Sequence, residues 1–514
     1  MGEAMAVNTM KDIINHGAEC YGDQDAFRYK VRKEIRSKSY RQLKADCEAF
    51  SRGLESLGLL GKHIAVIGAT SYFWVTAYFG TANSGGVIVP LDAGLPAGDL
   101  CELINRADVS ALVYDELRKD AAEAAAKKCP GLSCMISMQA DHDRLAGEES
   151  PVPVLSFQKF LSDHEGSFDM ELDPDKMCAI LFTSGTTGIS KGVMLSHRNL
   201  TDNAVCLDMK IPAGTVSMAL LPIHHAYCFT MDILKGLYIG ITICINDSIM
   251  HVSRNMKLFK PEIVLLVPLV IKSIYAKLKD LPSLLPKHLV AKEAFGGRLK
   301  TICSGGAYLD PELIRQFAEY GITVLQGYGM TECSPVISTN LEWANKIGSV
   351  GKLLPNCQAK VVDEELWVRG SSVMLGYYKM PEETAATLTD GWLRTGDLGY
   401  VDEDNYIYIT GRKKNLIILE NGENVSPEEL ENLLYKDPLV KEALVRESGS
   451  VIEAEIFPDE EYAKKKKIRN MEEHLQALVN RVNEGQPPYK KIHSLKVRNT
   501  EFQKTSSKKI KRNQ

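Results

Sequence analysis

From Lys62 onward the apolar runs change type in strict alternation, and that alternation narrows the chain to one broad architecture. "HIAVIG" reads as a strand, "YFWVTAYFGTANS" as a helix, "VIVPL" as a strand, "AGDLCELINRA" as a helix and "ALVYD" as a strand. Strands separated by helices at this spacing predict a parallel sheet with helices packed on it. The rhythm returns in "MDILKGLYIG" followed by "ITICI", and in "EIVLLV" before a helix running through Tyr275. It returns again in "LKTICSGG" before "DPELIRQFAEY" and "ITVLQ". Asp310 is placed as the N-cap of that last helix and Pro311 as its first residue, which sets where the helix begins.

From about Lys360 to Thr410 the helical rhythm stops. Short strands such as "ELWVRG" and "YIYIT", separated by Gly and Asp-Asn turns, predict a β-rich appendage. After "GRKKN" the texture changes to a small α+β domain. It opens on "SPEELENLL", read as a capping box of Ser426 and Glu429 with Pro427 at the first helical position. Strands "EALVR" and "VIEAEIF", a helix near Met471 to Asn483 and the segment "HSLKVR" follow. With 514 residues the chain exceeds what one hydrophobic core supports. The expected fold is therefore a large α/β N-terminal domain over 1–410, with parallel sheets, flanking helices and a small β subdomain. A hinge at 411–415 and a small, mobile α+β C-terminal domain over 416–514 complete it.

Charge and composition exclude several classes. A formal net charge of −5 gives no reason to expect a nucleic-acid partner. The 12 cysteines are scattered without zinc-site spacing and read as mostly buried, reduced residues. The first residues, "MGEAMAVNTMKD", hold no apolar core of signal-peptide length. The longest apolar run, "IVLLVPLVI", falls short of the ~20 residues that span a bilayer. A soluble cytoplasmic protein without a membrane span is expected, with "KKKK" at 464–467 as a solvated charged face.

Four polar segments stand where predicted strands end. "TSGTTGISKG" (Thr183 to Gly192) reads either as a flexible connection or as a phosphate cradle, with converging N–H groups, hydroxyls and the Lys191 charge. It is not a Walker A loop: counting from Gly185, Ser190 stands where Gly is required and Gly192 where the metal-binding hydroxyl belongs. "CSGGAYL" is an anion nest or a tight turn. "QGYGMTECSP" offers an aromatic for stacking on a purine and, in Thr331 and Glu332, oxygen ligands for a hard cation. "WLRTGDLGY" sets Asp397 beside glycines in a turn, where an Asp satisfies its own backbone or accepts a pair of sugar hydroxyls.

Taken in order, "LFTSGTTGISKGVMLSH", "GYGMTECSP", "RTGDLG", "GRKKNLIILENGENVSPEELE" and "KTSSKKIKR" resemble the signature motifs of the adenylate-forming superfamily. That superfamily comprises acyl-CoA synthetases, luciferases and peptide-synthetase adenylation domains. The likeness spans nearly the whole chain and is greatest to bacterial long-chain fatty-acid–CoA ligases. It implies ATP-dependent, Mg²⁺-assisted activation of an acid to acyl-AMP, followed by transfer to the thiol of CoA or of an acyl carrier protein. By position, Thr183, Ser184, Gly185, Thr186, Thr187, Gly188 and Lys191 would hold the ATP phosphates. Gly305, Gly306 and Ala307 would flank the adenine and acyl carboxylate. Tyr328, between Gly327 and Gly329, would stack on the base, Thr331 would meet the α-phosphate and Glu332 would ligate Mg²⁺. Asp397, assisted by Arg412, would bind the ribose. Lys509 would stabilise adenylation, Lys414 would be the hinge, and the segment with Gly422 and Glu423 would face the thiol.

The segment "LPIHHAYCFT" corresponds to the place where amino-acid-activating relatives carry an Asp for the substrate amine. Here it holds His224, His225, Ala226 and Tyr227, so an uncharged acyl tail is expected, with His224 and Tyr227 lining its pocket. His225 is read as a neighbour of the substrate carboxylate, against the plainer reading of packing at a helix start. The alternatives are a fatty acyl-carrier-protein ligase, an aryl-CoA ligase and, more remotely, a nucleotide sensor that binds ATP without turnover. The family's Gly before the terminal Lys is Lys508 here, and its Pro-Arg is Gln503-Lys504.

Overall fold

The computed structural model describes residues 6–139, 150–183, 190–280, 286–419, 423–449, 451–504 and 510–512. They form two compact units, 1–359 with 368–393, and 360–367 with 394–514. The expected alternation is present at every quoted segment in the first unit, from the strand His63–Ile67 and the helix Tyr72–Asn83 to the strand Thr323–Gly329.

Two large sheets build the first unit. One runs, among the described residues, in the order Gly376–Tyr377, Lys191–Ser196, Met177–Thr183, Val87–Leu91, His63–Ile67, Val109–Tyr114, Cys134–Ser137 and Val154–Ser156. From Met177–Thr183 to Val154–Ser156 neighbouring strands are parallel, and the two at the other edge are antiparallel. The second sheet has a parallel centre of Thr323–Gly329, Thr301–Ser304, Ile263–Leu266, Val216–Ala219, Thr242–Ile245 and Asp25–Val31. Its central strands are rich in Val and Ile because helices cover both faces and no position is left for a solvent-facing side chain.

The helix Tyr72–Asn83 shows the same logic at its limit, since all but one of its residues are buried. It packs on the strands His63–Ile67 and Val87–Leu91. Its Tyr78 ring stacks on Phe229, with centroids 3.7 Å apart. Phe229 belongs to a π-helical segment, Cys228–Leu234, inside the predicted helix "MDILKGLYIG" and the residues before it.

The helix Pro311–Ala318 begins as predicted: Asp310 is the N-cap and accepts from the Glu312 N–H at 2.9 Å. The β-rich texture expected over 360–410 is present in Glu365–Gly370, Trp392–Val401 and Ile407–Arg412. The helix Pro381–Thr387 interrupts it, signalled by Pro381 at the first helical position and the acidic first turn Glu382 and Glu383.

The second unit carries a three-stranded sheet among its described residues: Val440–Ser448 and Val451–Pro458 antiparallel, and Ser494–Val497 parallel to the latter. Leu430, Leu434, Leu475 and Val479 pack on it from the helices Pro427–Leu434 and Met471–Glu484. The capping box at Ser426 and Glu429 is not formed. Ser426 is the N-cap and Pro427 does follow, but the Ser426 hydroxyl donates backwards to the Thr410 carbonyl at 3.0 Å. A Cβ on Gly411 would come within 2.2 Å of that hydroxyl oxygen, so the close approach of Gly411 claims the serine that a helix start would otherwise use. Lys464–Lys467 are exposed, as a solvated face requires. The final run is pinned instead: Arg512 pairs with Glu431 at 2.5 Å, and Lys504 bridges Ile510.

His197, at the start of the helix His197–Val205, receives the Met10 N–H on Nδ1 at 3.3 Å and ties the N-terminal helix Met10–Tyr21 to the body. Burial pushes its imidazole down to about 4 from an ordinary 6.5. The folded state therefore binds fewer protons than the unfolded chain between these values, and stability falls as pH drops through that window. His197→Asn, whose side-chain oxygen takes the same bond without titrating, should lose less stability than wild type between pH 7 and pH 5. Urea midpoints at the two pH values test this, and equal losses would contradict it.

Candidate functional site

In parallel sheets ligands meet the chain beyond the carboxyl ends of the strands, and the sequence-predicted residues of the first unit collect there. The adjacent strands Thr301–Ser304 and Thr323–Gly329 run in register, Ser304 opposite Gln326; Gly305–Ala307 leave the sheet there, while Gly327, Tyr328 and Gly329 continue their strand, paired antiparallel with Val336–Thr339, before the chain turns at Thr331 and Glu332. Gly305 is covered by Tyr227: a Cβ there would lie 2.9 Å from the Tyr227 Cζ atom. Gly329 has less room still, since a Cβ would meet the Pro335 carbonyl oxygen at 1.9 Å. That approach folds the chain back so that Thr331–Cys333 forms one tight 3-10 turn.

Three groups lock this turn. The Tyr377 hydroxyl donates to Glu332 Oε1 at 2.9 Å, and the Met374 N–H donates to the Glu332 carbonyl at 2.9 Å. Asn203, buried on the helix His197–Val205, donates to the carbonyls of Val336 at 2.8 Å and Cys333 at 3.3 Å and accepts from the Val336 N–H at 3.1 Å. Glu332 is half-buried with its second oxygen not engaged by Tyr377.

Thr183 and Lys191 face each other across the antiparallel strands Met177–Thr183 and Lys191–Ser196, at the two ends of the expected phosphate loop. Ser184, Gly185, Thr186, Thr187 and Gly188 lie outside the described residues, as do Gly422 and Lys509. Lys191 makes an ion pair with Glu383, and its Nζ atom stands 4.9 Å from the centre of the Tyr377 ring. The structure thus brings Lys191 and Glu332 together on opposite parts of one tyrosine.

His224 and His225 precede the π-helical segment, with ring centres 4.2 Å apart. Burial, reinforced by the neighbouring His225, pushes His224 down to about 4, so it is neutral at pH 7. Its Nε2 atom stands 3.8 Å from Asp92 Oδ1. The His225 carbonyl accepts the Phe229 N–H at 3.1 Å, as expected of the residue where a helix begins.

In the second unit Asp397 does not sit in a turn. It lies within the strand Trp392–Val401, opposite Arg412 of Ile407–Arg412, because Gly396 takes the left-handed conformation (φ +70°) and absorbs the bend instead. Arg412 Nε contacts Asp397 Oδ1 at 2.7 Å and the carboxylate is 3% exposed. Glu365 supports the same turn by accepting from the Gly396 N–H at 3.0 Å and from Lys413 at 2.9 Å. Burial opposes its ionisation, but these donors outweigh it and hold the Glu365 carboxyl below its ordinary range. Lys414 follows on the exposed 3-10 turn Lys413–Asn415, and Glu423 accepts the Leu419 N–H through its carbonyl at 3.0 Å.

Asn203, Tyr377, Glu383 and Glu365 were not singled out in the sequence. A signal existed for one stretch only: "GYYKMPEET" has the Pro and acidic pattern of a helix start, which places Tyr377 and Glu383 at its two sides. Asn203 and Glu365 reach their partners across 133 and 31 residues, and no local pattern reports that.

A crystal structure of the anthranilate CoA ligase AuaEII in complex with anthranoyl-AMP superposes with a TM-score of 0.85, at 21% identity over 98% of this chain and 95% of that one. The chain belongs to the AMP-binding enzyme family, a family of AMP-forming acid–thiol ligases: residues 14–378 match the family itself and 414–514 its C-terminal domain. A long-chain-fatty-acid–CoA ligase of Bacillus subtilis (strain 168) is 28% identical over 85% of this chain and 82% of its own length. A chloroplastic long-chain-fatty-acid–[acyl-carrier-protein] ligase, AEE15 of Arabidopsis thaliana, is 26% identical over 91% and 80%. Membership in this family establishes an ATP-using enzyme. Among the described residues no helix is long and apolar enough to cross a membrane.

The Tyr377 hydroxyl is a neutral donor to a charged acceptor, a bond whose loss costs about 1.5–3 kcal/mol where it matters. Tyr377→Phe should slow ATP–pyrophosphate exchange by about tenfold, with folding unchanged by circular dichroism. An unchanged rate would show that Glu332 is held without it.

Proposed function

We propose that this enzyme activates a fatty acid to acyl-AMP with release of pyrophosphate, and then passes the acyl group to the thiol of CoA. The observation that carries the reading is the meeting of Glu332, Tyr377 and Lys191 beside the strand ends that carry Gly305 and Tyr328. The fatty-acid assignment is supported by the Bacillus subtilis relative's name and by the uncharged segment around Ala226 and Tyr227. Transfer to an acyl carrier protein is the second reading, favoured by the name of the Arabidopsis relative. Both acceptors end in the same thiol.

A carboxylic acid is already an anion at neutral pH, so its attack on the α-phosphorus needs no general base. The difficulty is to bring two anions together in line. An oxygen of the acid bonds to the α-phosphorus while the bond to pyrophosphate breaks. Lys191 would leave Glu383 for the polyphosphate, Thr331 would meet the α-phosphate, and Tyr328 would stack on the adenine. Asp397, oriented by Arg412, would accept the ribose hydroxyls. Lys509 would place a positive charge where negative charge builds up.

The donors present suit Mg²⁺. Glu332 and Thr331 offer oxygen ligands on one turn, and among the described residues no group of three His, Cys, Asp or Glu is arranged to hold a metal. That is the pattern of a hard cation held by one carboxylate and by phosphate oxygens. When bound, Mg²⁺ would offset the charge of the phosphates. In the second step the thiol sulfur attacks the acyl carbon, the bond to AMP breaks and the thiol proton leaves to solvent. Residues around Glu423 would face that thiol, with 411–415 as the hinge and Lys414 as its pivot.

The test is acid-dependent ATP–pyrophosphate exchange over saturated fatty acids of increasing length, aryl acids and amino acids. Exchange with a range of fatty acids is expected, and ATP binding without exchange for any acid would overturn the reading in favour of a nucleotide sensor. Lys509→Ala should reduce that exchange by about 10²–10³-fold, the scale of losing one preorganised charge or donor. A normal rate of acyl-AMP formation would contradict its role. Lys414→Pro, which fixes φ at the pivot, should spare acyl-AMP formation and slow thioester formation by about tenfold or more. Equal loss in both half-reactions, read by single-turnover assays, would remove the hinge assignment.

A further inference from the structure

The two most exposed large apolar side chains among the described residues are neighbours in the chain. Met250 is 89% exposed and Ile249 85%, on the 3-10 turn Ile249–His251 that follows the strand Thr242–Ile245. Val31 and Ile35 are exposed beside them, on the hairpin of Asp25–Val31 and Glu34–Ser39 that edges the same sheet. Arg28 lies opposite Cys244 in a parallel pairing, so the hairpin turn stands past the carboxyl end of Thr242–Ile245, where Ile249 and Met250 follow. A contact joins the two segments: Lys30 Nζ is 3.7 Å from Asp247 Oδ2.

The charge around these apolar residues is mostly of one sign. The chain carries a net charge of −5, yet residues 31–36, "VRKEIR", hold three cations and one carboxylate. Arg32 and Lys33 are exposed, and Arg36 stands 3.9 Å from an equally exposed Glu34. Asp247, the carboxylate nearest the turn, is shared by Lys30, by His251 at 3.1 Å and by Arg254 at 3.8 Å, so it is outnumbered. Folding needs explain only part of this pattern. Cations on an edge strand protect it from pairing with another chain, which leaves the bare Ile249 and Met250 without a reason. A two-residue hairpin turn is met most easily by Asn or Gly, yet Arg32 occupies its first position at φ +57°.

Two apolar side chains on an exposed turn, with cations beside them, match a bilayer that carries anionic headgroups. Ile249 and Met250 would enter the acyl boundary while Arg32, Lys33 and Arg36 meet headgroup phosphates. An acidic protein would satisfy the cations but would need a pocket for the two apolar side chains. Contact of this kind requires no membrane-crossing helix. The strand Thr301–Ser304, from which Gly305 leaves, is parallel to Thr242–Ile245 and three strand spacings from it, about 14 Å, so both end at the same side of the sheet. A long-chain acid partitions into a bilayer because its tail is apolar. An enzyme seated on this face would take such an acid from the phase that holds it.

We propose that this face, Ile249 and Met250 with the hairpin turn at Arg32 and Lys33, docks the enzyme on a membrane surface rich in anionic lipid. Docking stands by itself, and its role in acid supply rests on the acyl-activating reading. Co-sedimentation with vesicles of equimolar phosphatidylcholine and phosphatidylglycerol, against vesicles of phosphatidylcholine alone, tests it. Wild-type protein should bind the mixed vesicles, favour them over the neutral ones by about tenfold or more, and release them at high salt. The double variant Ile249→Ser, Met250→Ser should weaken binding by about tenfold or more, the scale of leaving large apolar side chains in water. Arg32→Ala with Lys33→Ala should weaken it by about 25-fold, at about fivefold per cation. Both should keep wild-type circular dichroism and wild-type ATP–pyrophosphate exchange with a short, soluble acid. Equal binding to both vesicle types, binding to neither, or binding that survives in both variants overturns the docking and leaves acid activation standing. Capture of an acidic acyl carrier protein through these residues, without vesicle binding, gives the face to a protein partner and overturns it as well. With a long-chain acid presented in the mixed vesicles, exchange by the variants should fall with their binding, and exchange equal to wild type removes the supply role. Absence of exchange with every acid while vesicle binding persists overturns the acyl-activating reading and not the docking. Should one double variant not fold, the other and the wild-type comparison of vesicles decide.

Discussion

A parallel strand cannot return to its neighbour through a tight turn, so the parallel pairings at the centre of the two large sheets are closed by crossovers that lay structure over a face. Both faces are then covered, and the ends of the strands are left as the place where polar side chains can gather. This constraint orders the first unit. It makes the strands His63–Ile67 and Val87–Leu91 almost entirely apolar, and it buries the helix Tyr72–Asn83 on nearly all sides. It also puts Gly305 and Tyr328, 23 positions apart in the chain, on adjacent strand ends.

Position alone does not make such an end rigid, because a loop carries backbone groups without sheet partners. The turn Thr331–Cys333 resolves this with a buried amide. Asn203 meets the Cys333 carbonyl of the turn and the carbonyl and N–H of Val336 beyond it, so these backbone groups keep partners away from water. A buried polar group left unmet costs about 1–3 kcal/mol, so the segment is held by the cost of its alternatives more than by the bonds themselves. Tyr377 and Met374 act on the same turn from one further segment, so the stiffness of Glu332 depends on groups contributed by two other parts of the chain.

This division also explains how far the sequence could be read. Elements are legible wherever one physical pattern dominates: the alternation from Lys62 to Asp115, the Asp310-Pro311 helix start and the helices and strands that follow Asn415 all appear where expected. The ordered motifs carried the family. Ser426 was misread as a capping box because the pattern of residues is local while its acceptor, the Thr410 carbonyl, is brought near by the close approach of Gly411. Asp397 was assigned to a turn because two glycines flank it, yet only Gly396 bends and Asp397 stays paired across the strand with Arg412. Asn203 and Glu365 stay hidden for the same reason: what makes each of them matter is a neighbour distant in sequence.

Lys191, Arg412, Lys413 and Arg512 each stand beside a carboxylate, but the pairs differ in how firmly they hold. Lys191 faces Glu383, which is 39% exposed, and exposed pairs of this kind contribute about 0–1 kcal/mol. A polyphosphate offering several oxygens can replace Glu383 at little cost, so Lys191 is available to a ligand although it is paired. Asp397 is 3% exposed, and removing Arg412 from it would leave a buried carboxylate uncompensated. That pair orients the carboxylate and is not exchanged. Glu365 does the same for Lys413 and Gly396, and Glu431, pushed up to about 7 by burial against the opposing effect of Arg512, does so at the end of the chain. Under the proposed function the weak pair sits where a charge would change partners, and the buried pairs sit where a side chain would keep its direction.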